Sequence, residues 1–98
     1  MIRPLVFILF IHFTPSWATT ISGIVKDSET EKAIPNANIF IQETGQGTIS
    51  NPYGYFEMEM VPGDYTLTTS VIGFETDTRE IMVTDEVLEL EVLPSNTY

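Results

Sequence analysis

Three sets of side chains in this 98-residue sequence have types and spacings suited to chemistry. Asp27, Glu29 and Glu31 stand at alternate positions and offer oxygens of the kind Ca²⁺ takes, about six to eight at a time. The complete signature of an EF-hand loop is missing, so a solvated acidic loop is the plainer reading. Glu57, Glu59, Glu89 and Glu91 have the form of carboxylate pairs for glycoside hydrolysis. Their alternation with apolar residues makes them instead the water-facing halves of strands, where charge discourages strand addition. Tyr53, Tyr55, Phe74 and Tyr98 supply flat rings on which the apolar face of a pyranose stacks, although aromatic residues near turns also cap cores. These four are the candidate contacts to a ligand or partner. No catalytic residue, metal ligand or cofactor is expected.

Charge and composition remove whole classes of function. Four Lys and Arg stand against fourteen Asp and Glu, for a formal charge of -10. The basic residues Arg3, Lys26, Lys32 and Arg79 are too few and too scattered for phosphate contacts, so nucleic acid is not an expected partner. There is no Cys, which removes disulfides, thiolate metal sites, cysteine nucleophiles and a lipid-bearing Cys at a processing site. The single His is His12.

Residues 1–18 read as an export signal. Arg3 opens the segment, an apolar run follows from Leu5 to Phe13, and Thr14-Pro15-Ser16-Trp17-Ala18 breaks it. Small residues at Ser16 and Ala18 place cleavage after Ala18. The apolar run is roughly half the ~20 residues needed to cross a bilayer, so a retained anchor is the weaker alternative. Cleavage removes Arg3 and His12 and no acidic residue, leaving 80 residues, three basic and fourteen acidic. Without His or Cys, the remaining chain has no imidazole acid–base group and no Ser-His or Cys-His nucleophile.

The elements that must position these side chains are strands. Apolar residues recur with period two along residues 19–98, and no amphipathic helix interrupts them. Phe56, Met58 and Met60 alternate with Glu57 and Glu59. Ala37, Ile39 and Ile41 alternate with Asn38, Phe40 and Gln42, which puts apolar atoms on both faces and predicts a central strand. Seven strands are expected, over 21–27, 37–43, 48–50, 55–60, 65–72, 78–83 and 87–93. Asn51-Pro52-Tyr53-Gly54 predicts a type I turn. Val61-Pro62-Gly63-Asp64, with Gly third, predicts a type II turn. Thr44-Gly45-Gln46-Gly47 and Ile72-Gly73-Phe74 are further reversals. The expected fold is all-β, a seven-stranded Greek-key β-sandwich. Eighty residues lie near the lower limit for a core without disulfides or metals.

Five blocks in order, Thr20-Ile21-Ser22-Gly23-Ile24-Val25-Lys26-Asp27, Ala33-Ile34-Pro35-Asn36-Ala37-Asn38-Ile39, Asn51-Pro52-Tyr53-Gly54-Tyr55-Phe56, Pro62-Gly63-Asp64-Tyr65-Thr66-Leu67 and Ile72-Gly73-Phe74-Glu75, resemble the carboxypeptidase-regulatory-like domain. The resemblance implies a transthyretin-like, immunoglobulin-like β-sandwich over residues 19–98. Two positions depart from it: Glu31 and Asn36 stand where the family usually has Gly. The Asn is a mild change, because Asn tolerates left-handed backbone, whereas Glu31 suggests a reshaped loop. Behind a signal peptide, such a domain looks like the N-terminal extension of Bacteroidetes TonB-dependent outer-membrane receptors. The resemblance therefore implies a non-catalytic accessory or interaction domain, exported to the periplasm and associated with the outer membrane. Its expected partners are a receptor plug and barrel or another periplasmic protein. These residues contain no plug or barrel, so transport itself is not expected of them. The alternative is a free-standing secreted module that binds a glycan or a protein. A hydrolase of the transthyretin-like kind is disfavoured, since the catalytic His residues of that family have no counterparts after Ala18.

Overall fold

The computed structural model describes residues 18–97, so the expected leader up to Trp17, with Arg3 and His12, and the candidate contact Tyr98 lie outside the described residues. Seven strands follow in order: β1 Thr19–Val25, β2 Asn38–Ile41, β3 Gly47–Ile49, β4 Tyr55–Met60, β5 Gly63–Ser70, β6 Asp77–Val83 and β7 Leu88–Val92. They form two sheets, one ordered β4-β1-β7 and the other β3-β2-β5-β6. This is the expected all-β sandwich. Among the described residues there is no helix long and apolar enough to cross a membrane.

Each sheet buries the apolar half of its alternation. Ile21 and Val25 of β1, Phe56, Met58 and Met60 of β4 and Val92 of β7 face Ile39 and Ile41 of β2, Leu67 of β5 and Ile81 and Val83 of β6. The β4 pattern, exposed and buried by turns, is the one the sequence predicts. β2 lies between β3 and β5, the central position expected for it.

One pairing stands apart from the rest, and one turn differs from expectation. β1 and β7 pair in parallel, with Ser22 beside Glu89 and Ile24 beside Glu91; the other strand pairs are antiparallel. The expected type II turn at Val61-Pro62-Gly63-Asp64 does not form. Gly63 has a φ of 158°, close to extended, and already pairs with Val83 as the first residue of β5. The physical reason is topological: β4 and β5 belong to different sheets, so the chain crosses between layers there and does not reverse beside itself.

The segment between β1 and β2 holds its shape through short-range hydrogen bonds. The Asp27 carboxylate accepts from the Glu29 and Thr30 amides at 2.8 and 3.4 Å, and the Asp27 carbonyl accepts from the Glu31 amide at 2.8 Å. Glu31 and Asn36 both have a φ of 61°. Both positions where the family usually has Gly are therefore left-handed here. Glu31 takes up that backbone geometry itself. Left-handed backbone costs a non-Gly residue about 1–2 kcal/mol, offset in part by the greater entropy loss of Gly. Glu31→Gly is accordingly expected to stabilise the fold by about 0.5–1 kcal/mol, measured as a higher urea midpoint at unchanged slope.

The interior holds one polar anchor and one polar defect. The buried Ser50 hydroxyl accepts from the Ala37 amide and donates to the Ile34 carbonyl, both at 2.8 Å, which ties the β1–β2 segment to the end of β3. Thr69, fully buried on the inner face of β5, has the one buried side-chain oxygen among the described residues without a hydrogen-bond partner. An unsatisfied buried hydroxyl costs about 1–3 kcal/mol. Thr69→Val keeps the β-branched shape and removes that oxygen, so its thermal midpoint is expected to rise, by an amount equivalent to about 1 kcal/mol. A fall would mean that the hydroxyl has a partner in solution.

Candidate interaction site

Strand direction fixes which side chains share an end of the sandwich. β1 and β7 run the same way, and the chain leaves the fold just beyond Val92. The same end carries the 26–37 segment, the 51–54 turn, the β5–β6 loop and residues 93–97. The 51–54 turn forms as expected. The Gly54 amide donates to the Asn51 carbonyl at 2.8 Å, and the Asn51 carboxamide oxygen accepts from the Tyr53 and Tyr55 amides at 2.9 and 3.0 Å. Its effect is to lift Tyr53 into solvent, 78% exposed, and to deliver Tyr55 to the outer face of β4, 40% exposed. Phe74, in the β5–β6 loop, instead packs part-buried against the core and bridges Asn96. The three described rings, Tyr53, Tyr55 and Phe74, thus share one end without forming one platform.

Hydrogen bonds also hold residues 94–97 at that end. The Glu75 amide donates to the Ser95 carbonyl at 2.8 Å and the Thr97 amide to the Gly73 carbonyl at 3.2 Å, while Ser28 donates to Pro94. Residues 95–97 are therefore pinned to the β5–β6 loop, and Pro94 to the β1–β2 segment. Beside them Ile72 is 99% exposed. Of the nine exposed large hydrophobic residues among those described, Ile24, Ile49, Tyr53, Tyr55, Ile72 and Leu93 lie at this end, leaving Val61, Met82 and Val87 at the other.

Tyr55 has neighbours that the sequence does not reveal. A shallow groove of about 260 Å³ on the outer face of the three-stranded sheet is lined by Ser22, Gly23, Ile24, Tyr55, Glu89 and Leu90. Ser22, Ile24 and Glu89 were not among the expected contacts. The parallel β1–β7 register brings Glu89 beside Ser22, and no local pattern announces a pairing between strands so far apart in sequence.

The carboxylates separate by role. Among the described residues no hydrogen bond fixes the carboxylate of Glu57, Glu59 or Glu89. Glu91 pairs with Lys26 at 3.2 Å, a surface contact of about 0–1 kcal/mol. No group of three His, Cys, Asp or Glu side chains able to hold a metal ion occurs among the described residues. One Asp27 carboxylate oxygen is taken up in closing its own loop. Glu43 has a shifted acidity. The Thr66 amide donates to its Oε1 and the Thr66 hydroxyl to its Oε2, each at 2.8 Å, and these bonds, the amide foremost, hold its pKa below the ordinary 4.5. A depressed carboxylate stabilises the fold above its unfolded pKa, and the contribution is lost as pH falls through the folded value. Glu43→Gln should therefore flatten the stability profile below about pH 4.5 and leave its shape above pH 6 unchanged, as followed by urea unfolding across that range.

Comparison with known proteins agrees with this architecture. The family described as CarboxypepD_reg-like domain matches residues 21–98. No curated protein sequence matches the chain. Among solved structures it is similar to a chain of a type II cohesin–X-dockerin complex from Acetivibrio cellulolyticus, with 22% identity and a TM-score of 0.65 over 78% of this chain and 56% of that one. It is similar also to catechol 1,2-dioxygenase from Acinetobacter sp. ADP1, with 9% identity and a TM-score of 0.69 over 89% and 55%. A putative carbohydrate binding protein from Bacteroides uniformis matches with 14% identity and a TM-score of 0.61 over 78% and 40%. The chain spans 28% to 58% of the length of solved chains it matches. At these identities the likeness is one of fold. The family match covers nearly all of the described sandwich, and the chain belongs to the CarboxypepD_reg-like domain family.

Proposed function

We propose that residues 19–98 are a non-catalytic interaction domain, exported behind residues 1–18 to the periplasm, which serves as the N-terminal extension of a TonB-dependent outer-membrane receptor for nutrient or glycan uptake. Its contact surface is the end that carries Tyr53, Tyr55, Ile72 and Leu93. The observation that carries the reading is the concentration of exposed apolar side chains at the end where residues 94–97 are pinned. Apolar patches rimmed by polar residues mark protein contacts. The likeness to a chain of a cohesin–X-dockerin complex, a protein–protein assembly, is in keeping with a binding role. A photo-crosslinking residue in place of Tyr53, in cells of the source organism, is expected to trap an outer-membrane protein. Failure to trap any envelope protein would count against it.

The groove at Tyr55 favours a second reading, a glycan-binding module. A ring beside the Glu89 carboxylate and the Ser22 hydroxyl supplies both stacking and hydrogen bonding for a sugar. The similarity to a putative carbohydrate binding protein points the same way. Titration with glycans, with Tyr55→Ala as control, separates the two: saturable binding lost in the variant supports the second reading.

A further inference from the structure

We infer that the free edge of β6 is a strand-addition site for an extended protein segment carrying Lys or Arg beside Glu80. β6 ends its sheet and pairs only with β5, over seven residues from Asp77 to Val83. The hydrogen bonding of β5 fixes which β6 groups are free. The Thr66 carbonyl accepts from the Gln42 amide and the Thr66 amide donates to Glu43, so the backbone of Thr66 points toward β2. The alternation of an antiparallel ladder then turns Tyr65 and Leu67 toward β6, where they meet Ile81 and Arg79. It follows that the N–H and C=O groups of Thr78, Glu80 and Met82 point away from the sheet. No turn or loop hydrogen bond among the described residues reaches them.

Of the other three edge strands, β3, β4 and β7, two are blunted. β3 has three residues, and the Gln46 side chain donates to the Glu59 carbonyl of β4 at 2.9 Å. On β6 the Asp77–Arg79 pair at 3.4 Å occupies the inner face of the first half only. The second half, Glu80 to Val83, has no such guard, and Met82 is 67% exposed.

Charge selects the occupant. Glu43, Asp64, Thr66 and Glu80 line one shallow groove, and Asp64, Glu80, Ile81 and Met82 line the next. Arg79 is engaged by Asp77, and Lys26 and Lys32 lie at the opposite end of the sandwich, so among the described residues no basic side chain neutralises these carboxylates. A strand added to β6 places alternate side chains on this outer face. A cation there meets Glu80 and Asp64, and an apolar side chain meets Met82. A second copy of this acidic chain brings the same sign of charge, which opposes self-pairing. Main-chain bonds supply affinity in such an arrangement, and the alternate side chains supply specificity. This surface lies away from the end carrying Tyr53 and Tyr55, so it stands or falls separately from that reading.

The test uses the purified chain and a short labelled peptide alternating lysine and valine. Binding is followed by fluorescence anisotropy and the site by amide hydrogen exchange. Thr78, Glu80 and Met82 amides are expected to gain protection. Met82→Pro removes an outward N–H without touching the β5 ladder, and Glu80→Lys reverses the selecting charge. Each is expected to weaken binding at least tenfold while thermal unfolding shows the fold intact; if Met82→Pro fails to fold, Glu80→Lys carries the test alone. Equal binding by both folded variants, equal binding of a glutamate–valine peptide, or β6-mediated dimers in sedimentation would overturn the inference.

Discussion

Phe56→Ala is expected to lower the unfolding free energy by about 3–5 kcal/mol, a large share of the ~5–15 kcal/mol typical of a folded domain. The Phe56 ring lies on Gly23 of the neighbouring strand so closely that a Cβ there would stand 2.6 Å from its Cζ. The pair is a large side chain fitted to an absent one at the centre of the three-stranded sheet, and Phe56 heads the fully buried side chains by volume. Truncation leaves a cavity that Gly23 has no side chain to fill. Urea unfolding followed by circular dichroism gives the value directly. A loss under about 1 kcal/mol would mean that the sheets close over the gap.

Gly54→Ala should be comparably damaging for a different reason. Gly54 has a φ of 78°, and a Cβ there would lie 2.6 Å from the Val25 carbonyl oxygen. That oxygen cannot swing aside, because it accepts the Ile34 amide at 2.8 Å, and the Val25 amide in turn donates to Gly54. Left-handed strain of about 1–2 kcal/mol and overpacking of about 1–3 kcal/mol together predict a loss of about 2–5 kcal/mol. Gly73→Ala makes a sharp control, since it shares the positive φ but meets nothing within 4 Å. It should cost only the backbone strain. Equal losses at the two positions would show that the contact with Val25 contributes nothing.

Much of this architecture was legible from local pattern. Strand β4 matches its expected bounds at both ends, because Tyr55-Phe56-Glu57-Met58-Glu59-Met60 alternates without a break. The 51–54 turn follows from Asn, Pro and Gly at positions whose backbone angles those residues favour. What escaped is non-local. Pro62-Gly63 reads as a tight turn until the strands around it are assigned to different sheets. The groove at Tyr55 depends on β1 lying between β4 and β7, which joins residues near 23, 55 and 90. Glu31 shows a third kind of limit: residue type alone did not reveal that the Asp27 hydrogen bonds close a turn in which Glu31 is left-handed. The site suffers most from this, since its rings were readable one at a time while their neighbours were not.

The most direct test of the proposed role is the size, processing and location of the native product, read with an antibody against residues 19–98 on fractionated cells of the source organism. The account predicts a product that begins at Thr19 and sediments with the outer membrane as part of a receptor-sized polypeptide. A small soluble product, or one that retains residues 1–18 in the cytoplasm, would contradict it.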